Sequence, residues 1–372
     1  MFSSAAKYSL SRRRFLQASL VAGATSSLSG CGWTLAQVQP TSQARPSDSN
    51  RLYIYTWAGY TDNDLLQSFT QQTGIEVIAD VFDSNEAMLA KVQAGGGAAY
   101  SIIYPSDYMV GKMVAQNLLT ELDLSRIEGL NQLFPAYRNP GYDPNNQHSI
   151  PVSWGTTGLI YNTSEVKASP EDWEYLWEHQ ADLVRQVSLL NDVREVMGAT
   201  LRMLGYSYNS TNPEEIRQAY ERLVNLRPAI ATFTSDAWRP QVLTGDLAIA
   251  MGYSVDAHEL IEENSNIEYA IPQSGSSLWT DTLVIPRTAP NPDGAYAWIN
   301  FMLQPAIAAE VCQRLNFATA NRVAYEQLPS ELREDPTLFP PEDVLANCES
   351  IAPVGSTIQQ LYDRYWTQLT SG

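Results

Sequence analysis

From residue 51 onward the chain alternates between two hydrophobic periods. "RLYIYT" (51–56) has the aromatic and β-branched content of a strand. The next segment places Leu65, Leu66 and Phe69 on one side of a helix, with Asp62 as its cap and Gly74 as its stop. "IEVIADVF" (75–82) reads as a second strand. A helix opened by Ser84 and closed by Gly95-Gly96 follows, then the short buried strand "SIIYP" (101–105) and a helix from Asp107. "SIPVSWGTTGLIYNTS" (149–164) is a long, extended, apolar stretch. Helices are predicted around 192–205, 213–226 and 237–244, and strands at 247–253, 267–271 and 282–286. Ala295, Trp298, Ile299 and Met302 form a core-facing helical stripe. Strand and helix in alternation predict α/β architecture, with parallel sheets joined by helical crossovers. No internal repeat is visible.

The first 50 residues follow neither period. "SRRRFLQ" (11–17) is a twin-arginine stretch, and the apolar run after it, ending at Leu28, is too short to span a bilayer. "LSGC" then places Cys31 behind small residues, the pattern of a lipoprotein signal over residues 1–30 with Cys31 as the lipidated first residue of the mature chain. A plain signal peptide cleaved elsewhere is the alternative. Residues 32–50, rich in Pro, Ser and Gln, read as a flexible tether with a mean reach of roughly 25 Å. No later segment is apolar for the ~18 residues of a membrane-spanning helix.

Charge narrows the function. The formal net charge is −18; removal of Lys7, Arg12, Arg13 and Arg14 leaves 19 basic against 41 acidic residues, or −22. Nucleic acid needs a basic footprint and is excluded as a partner. A cationic ligand suits this balance, although solubility alone also explains it. His148, His179 and His258 are too widely spaced for metal-ligand pairs, so no metal or other cofactor is expected. Export leaves a disulfide between Cys312 and Cys348 open. Gly95-Gly96-Gly97 closes a helix and lacks the ending of a phosphate loop, and there is no G-x-S-x-G elbow.

Ligands of open α/β sheets sit beyond the strand ends. There the chain offers Trp57 and Tyr60, Ser106 and Tyr108, Asp192 and Glu195, Tyr253 and Asp256, and, entering the 282–286 strand, Trp279 and Asp281. These are mostly aromatics and carboxylates, with no Arg or Lys beside them except Arg194. That chemistry suits a flexible aliphatic amine. Carboxylates bind its ammonium groups by charge-assisted bonds, and flat rings cover its methylenes and attract its charge by roughly 0.5–2 kcal/mol each. Each residue also has an ordinary structural role. Asp192-Val-Arg-Glu195 has capping-box spacing, Ser106 suits a helix cap, Trp57 and Tyr60 suit a turn staple, and Asp281 suits a turn.

Over residues 51–370 the chain resembles the polyamine-binding proteins of bacterial ABC importers, the PotD and PotF type. The stretches that carry the resemblance include "LYIYTWAGY", "YPSDYMVGKM", "SIPVSWGTTGLIYN", "DVREVMGATLRMLGYS" and "LWTDTLVIP". The resemblance implies a class II periplasmic-binding-protein fold: two α/β lobes, two crossovers and a ligand cleft. Lobe one would be 51–158 plus 280–325, and lobe two 159–279 plus 326–372. It implies that Trp57, Tyr60, Ser106 and Tyr108 form the cleft wall of lobe one. Asp192 and Glu195 would hold an amine, Trp279 and Asp281 would grip the chain near the crossover, and Ser235 would add a minor polar contact. Tyr253 stands where the family has tryptophan and Phe317 where it has tyrosine. Ala58 stands where spermidine binders often have a hydroxyl residue, and Asp256 matches the putrescine-type members. The expected protein is a monomeric, periplasmic, lipid-anchored receptor that captures putrescine or spermidine for an importer's permease and performs no chemistry. Two competing readings are a secreted glycan hydrolase with paired carboxylates and an iron receptor of the same fold.

Overall fold

The structure, a computed structural model, describes residues 49–371. The export signal, Cys31 and nearly all of the tether lie outside the described residues. Among these there are ten strands: β1 (Arg51–Trp57), β2 (Glu76–Phe82), β3 (Ile102–Ile103), β4 (Ser149–Asn162), β5 (Val187–Leu189), β6 (Ile230–Phe233), β7 (Ile249–Tyr253), β8 (Ile267–Ala270), β9 (Leu278–Val284) and β10 (Ala318–Thr319). They join in the order β2-β1-β3-β9-β4-β7-β5-β6, with β8 and β10 also on β4.

The outer pairs are parallel, as the alternation of strand and helix predicts: β1 with β2 and β3, and β5 with β6 and β7. The middle is antiparallel, so the sheet is mixed. β4 is 14 residues long and almost wholly buried. Its first half pairs with β9 and its second half with β7 and β8. One continuous strand therefore runs from one half of the molecule into the other, and β9 makes the return. The register slips between Pro151 and Ser153, where proline has no N–H to give the ladder.

Each half has its own core. On one side Leu52, Ile54, Phe69, Trp298 and Phe301 pack together; on the other Trp173, Leu189, Met197, Tyr208, Leu223 and Tyr362 do. Burying a large apolar side chain is worth about 1.5–3 kcal/mol, so either cluster can hold its half together. Several predicted helix signals act as read. Asp62 accepts from Leu65 N at 2.8 Å, Ser84 from Ala87 N at 3.2 Å, and Gly74 closes its helix at φ 74°. The helix expected at 237–244 is shorter, Arg239–Thr244. β9 starts at Leu278 rather than 282, which puts Trp279 and Asp281 inside a strand rather than at its entry.

The disulfide does not form: both cysteines are free. Cys312 is buried with Ala308, Ala309, Ala324 and Leu328, whereas the Cys348 thiol lies 3.7 Å from Val344 O in its own helical turn. Among the described residues no helix is long and apolar enough to cross a membrane.

Candidate functional site

Parallel strands end on one side of the sheet, and β9, antiparallel to β3, brings its opening residues to that same side. Ser106, just past β3, bridges directly to Asp281 of β9. The result is a cleft of about 980 Å³, counting space continuous with solvent. Its walls include Trp57, Tyr60, Ser106 and Tyr108 from the first half, with Asp192, Glu195, Ser235, Tyr253, Asp256, Trp279 and Asp281.

Asp281 is 4% exposed. It accepts hydrogen bonds from the Tyr60 hydroxyl and, at 2.6 Å, from Ser106 Oγ. The Trp57 indole N–H adds a weaker pull on the same carboxyl but completes no hydrogen bond. Burial pushes the carboxyl up to about 6, against the pull of these donors. The predicted cap role of Ser106 is not made. Its hydroxyl turns to Asp281 and accepts from Asn85 Nδ2 at 3.0 Å, because an ionisable neighbour is the stronger acceptor.

Asp192 caps the helix Val193–Met203, accepting from Arg194 N at 2.8 Å and Glu195 N at 3.1 Å. Glu195 does not reach back to complete the box. It accepts instead from Ser277 Oγ and Tyr208 OH, each at 2.8 Å. Burial, then the charge of Asp192, push Glu195 up to about 7. Burial also raises Asp192, restrained by the peptide N–H groups it caps. Arg194 points away from the cleft to Ala352 O and Asn209.

Tyr208 can approach because residue 198 is glycine. A Cβ there would lie 2.1 Å from the Tyr208 ring. Gly198→Ala is therefore expected to destabilise the fold by about 1–3 kcal/mol and to loosen Glu195. Denaturant unfolding checks the first effect, and an unchanged midpoint would refute it.

The aromatics divide. Trp57 packs on Phe82 at 4.3 Å between ring centroids and keeps part of its surface in the cleft. Trp279 and Tyr253 meet edge to face at 5.9 Å, and Gly155 makes room for the Trp279 ring. Tyr60 is core and site at once: its ring is buried and its hydroxyl reaches Asp281. Phe317, expected in the cleft, is instead behind that ring at 4.0 Å and does not line the cleft. Lacking a hydroxyl, it has nothing polar to send past Tyr60 to the cleft.

Residues 64–340 match the profile of the bacterial extracellular solute-binding protein family. The chain belongs to that family. This solute-binding protein is therefore not an enzyme, and the hydrolase alternative falls. The family description places it outside the cytoplasm. It is 35% identical over 333 residues to spermidine/putrescine-binding periplasmic protein 1 of Haemophilus influenzae, covering 89% of this chain and 92% of that one. Among solved structures, the spermidine/putrescine ABC transporter substrate-binding protein PotD of Streptococcus pneumoniae shares 37% identity at a TM-score of 0.77. That match covers 87% of this chain and 99% of the other. The TpPotD lipoprotein of Treponema pallidum shares 30% identity at a TM-score of 0.77, covering 87% and 100%. The fold of the solute-binding protein is thus the two-lobed α/β fold of those structures.

Sequence reading missed several residues of this cleft. Asp107 lines it at 1% exposure, with Oδ1 on the Tyr108 N–H and Oδ2 without a partner. Tyr208 and Ser277 hold Glu195 from distant parts of the chain. Glu86 takes the Tyr108 hydroxyl at 3.2 Å at the cleft edge. Its side chain still meets solvent, but crowding by the walls and then the charge of Asp192 push it up to about 7. Arg239 was missed as well, although "SDAWR" puts it four residues after Ser235.

Proposed function

We propose that this protein captures a linear polyamine, spermidine or putrescine, and delivers it to the permease of an ABC importer. The observation that carries the reading is the state of three cleft carboxylates, of which Asp281 and Glu195 are buried and Asp192 is half-buried. Asp281, Asp192 and Glu195 have only hydroxyl and peptide N–H partners, beside the flat faces of Trp57, Trp279 and Tyr253. Neutral donors leave most of a buried carboxylate's charge uncompensated, and an ammonium supplies what is missing. The rings cover the methylenes between ammonium groups and attract their charge. The relatives from Haemophilus influenzae and Streptococcus pneumoniae are named for spermidine and putrescine, which supports the same reading.

Lobe one comprises 51–158 plus 280–325 and lobe two 159–279 plus 326–372, in keeping with the two separate cores. Cleft closure then sandwiches the amine between Trp57, Tyr60, Ser106 and Tyr108 on one side and Asp192, Glu195, Ser235 and Tyr253 on the other, with Trp279 and Asp281 at the crossover. Export through the twin-arginine signal and lipidation of Cys31 would hold the protein at the membrane as a monomer, with the tether giving it freedom to dock. The lipoprotein from Treponema pallidum lends support to the anchor.

A melting-temperature panel tests the reading. Spermidine or putrescine at a hundredfold excess over Kd adds about 2.7 kcal/mol, a rise of several degrees, whereas neutral sugars add nothing. No shift with any linear diamine or polyamine would refute it.

A further inference from the structure

Among the described residues lining the cleft, Arg239 is the one cation. It opens the helix Arg239–Thr244, where the positive pole of the backbone disfavours a positive side chain. Two acids hold it there. Nη1 donates to Asp236 Oδ1 at 2.9 Å and Nη2 to Asp256 Oδ1 at 2.5 Å. The Arg239 side chain is 32% exposed and that of Asp256 only 7%. Asp256 Oδ2 is buried and has no partner. Asp256 therefore differs in kind from Asp281 and Glu195, whose side-chain partners are neutral hydroxyls.

From this geometry we infer that Arg239 is a built-in counter-cation that occupies Asp256 and so sets which amines the cleft selects. The inference rests on the polyamine reading above. An ammonium arriving at Asp256 Oδ2 meets one negative charge and, a hydrogen bond further on, one positive charge. The attraction it finds at Asp281 or at Asp192 and Glu195 is weakened here, because Asp236, the guanidinium's other partner, is more than half exposed and water screens its charge. The pair thus acts as a repulsive element, of the kind that separates related ligands by disfavouring one of them. The cleft reads ammonium groups at two stations, Asp281 and the Asp192–Glu195 pair. An amine that depends on a cation at Asp256 is selected against.

The test is calorimetric titration of the parent, Arg239→Gln and the double variant Arg239→Gln with Asp256→Asn, using putrescine, cadaverine and spermidine. In Arg239→Gln the freed carboxylate should raise affinity for at least one of the three amines by about tenfold or more and change the affinity ratios among them. The double variant removes both charges together and should return affinities and ratios to within about threefold of the parent. A double variant that loses about tenfold or more would show that Asp256 reads the ligand with Arg239 in place, and would overturn the inference. So would an Arg239→Gln protein that folds by circular dichroism yet binds every amine as the parent does. If burying a bare acid unfolds Arg239→Gln, the charge-balanced double variant decides alone. A parent that binds none of the amines removes the polyamine reading and this inference together; a parent that binds, beside a double variant that fails, removes only this inference.

Discussion

Asp281→Asn is expected to weaken spermidine and putrescine binding by about a hundredfold or more, while the ligand-free protein stays at least as stable as the parent. Removing one partner of a buried charge pair costs about 2–5 kcal/mol of binding, because the ammonium is left without its counter-charge. The fold has no such dependence on the charge. An amide at 281 can accept from Ser106 Oγ through its oxygen and donate through its nitrogen to the Tyr60 hydroxyl oxygen, and the cost of holding a carboxylate at 4% exposure disappears. The two effects move in opposite directions and are measured separately, by calorimetric titration and by ligand-free melting. A variant that binds spermidine as tightly as the parent would remove Asp281 as an anchor. A variant that melts well below the parent would show that the carboxylate is structural.

Local signals in the sequence carried a good part of this picture. The cap at Asp62, the helix stop at Gly74 and the strand Arg51–Trp57 depend on residues a few positions apart, and there the pattern and the structure agree. Most of the proposed cleft residues could be placed because strand ends share one side of a sheet. What could not be read depends on distant partners. The mixed sheet arises because β4 is long enough to serve both halves, which apolar content alone does not reveal. Ser106 looks like a cap until Asp281, 175 residues later, offers it a stronger acceptor. Glu195 has the spacing of a capping box, but Tyr208 and Ser277 give its carboxyl a better site. Tyr60 is half staple and half cleft wall, a division that follows from Phe317 lying behind its ring. Arg239 carries no local signal in the sequence, because its cleft partner is an acid on another helix. In the turn after β1, Gly59 at φ 79° lets the chain fold back so that Trp57 and Tyr60 both face the cleft.

Polyamine affinity should fall steeply below about pH 6, and the ligand-free protein should behave in the opposite way. Burial raises the Asp281 carboxyl from 3.8 to about 6. Between those values the folded ligand-free chain holds a proton that the unfolded chain has lost. Stability from this group is therefore full below about pH 4, falls as pH rises toward 6, and is then constant; the loss is about 3 kcal/mol. Glu195, raised from 4.5 to about 7, adds the same sign over a window reaching one unit higher, and shares its protons with Asp192. A bound ammonium reverses the preference, since it holds each carboxylate ionised and must displace the proton to do so. At pH 5 a group that titrates near 6 costs about tenfold in affinity relative to pH 8, and one near 7 costs about a hundredfold. Titrations at the two pH values should therefore differ by about one to three powers of ten, with protons released on binding near pH 6. The release is read by repeating the titration in buffers of different ionisation enthalpy. An affinity flat from pH 5 to 8 would mean that Asp281 and Glu195 are already ionised in the empty cleft, or that neither holds the amine. Asp281→Asn separates those cases. If Asp281 holds the amine, the variant loses affinity and the tenfold part of the pH dependence together, and keeps the part due to Glu195.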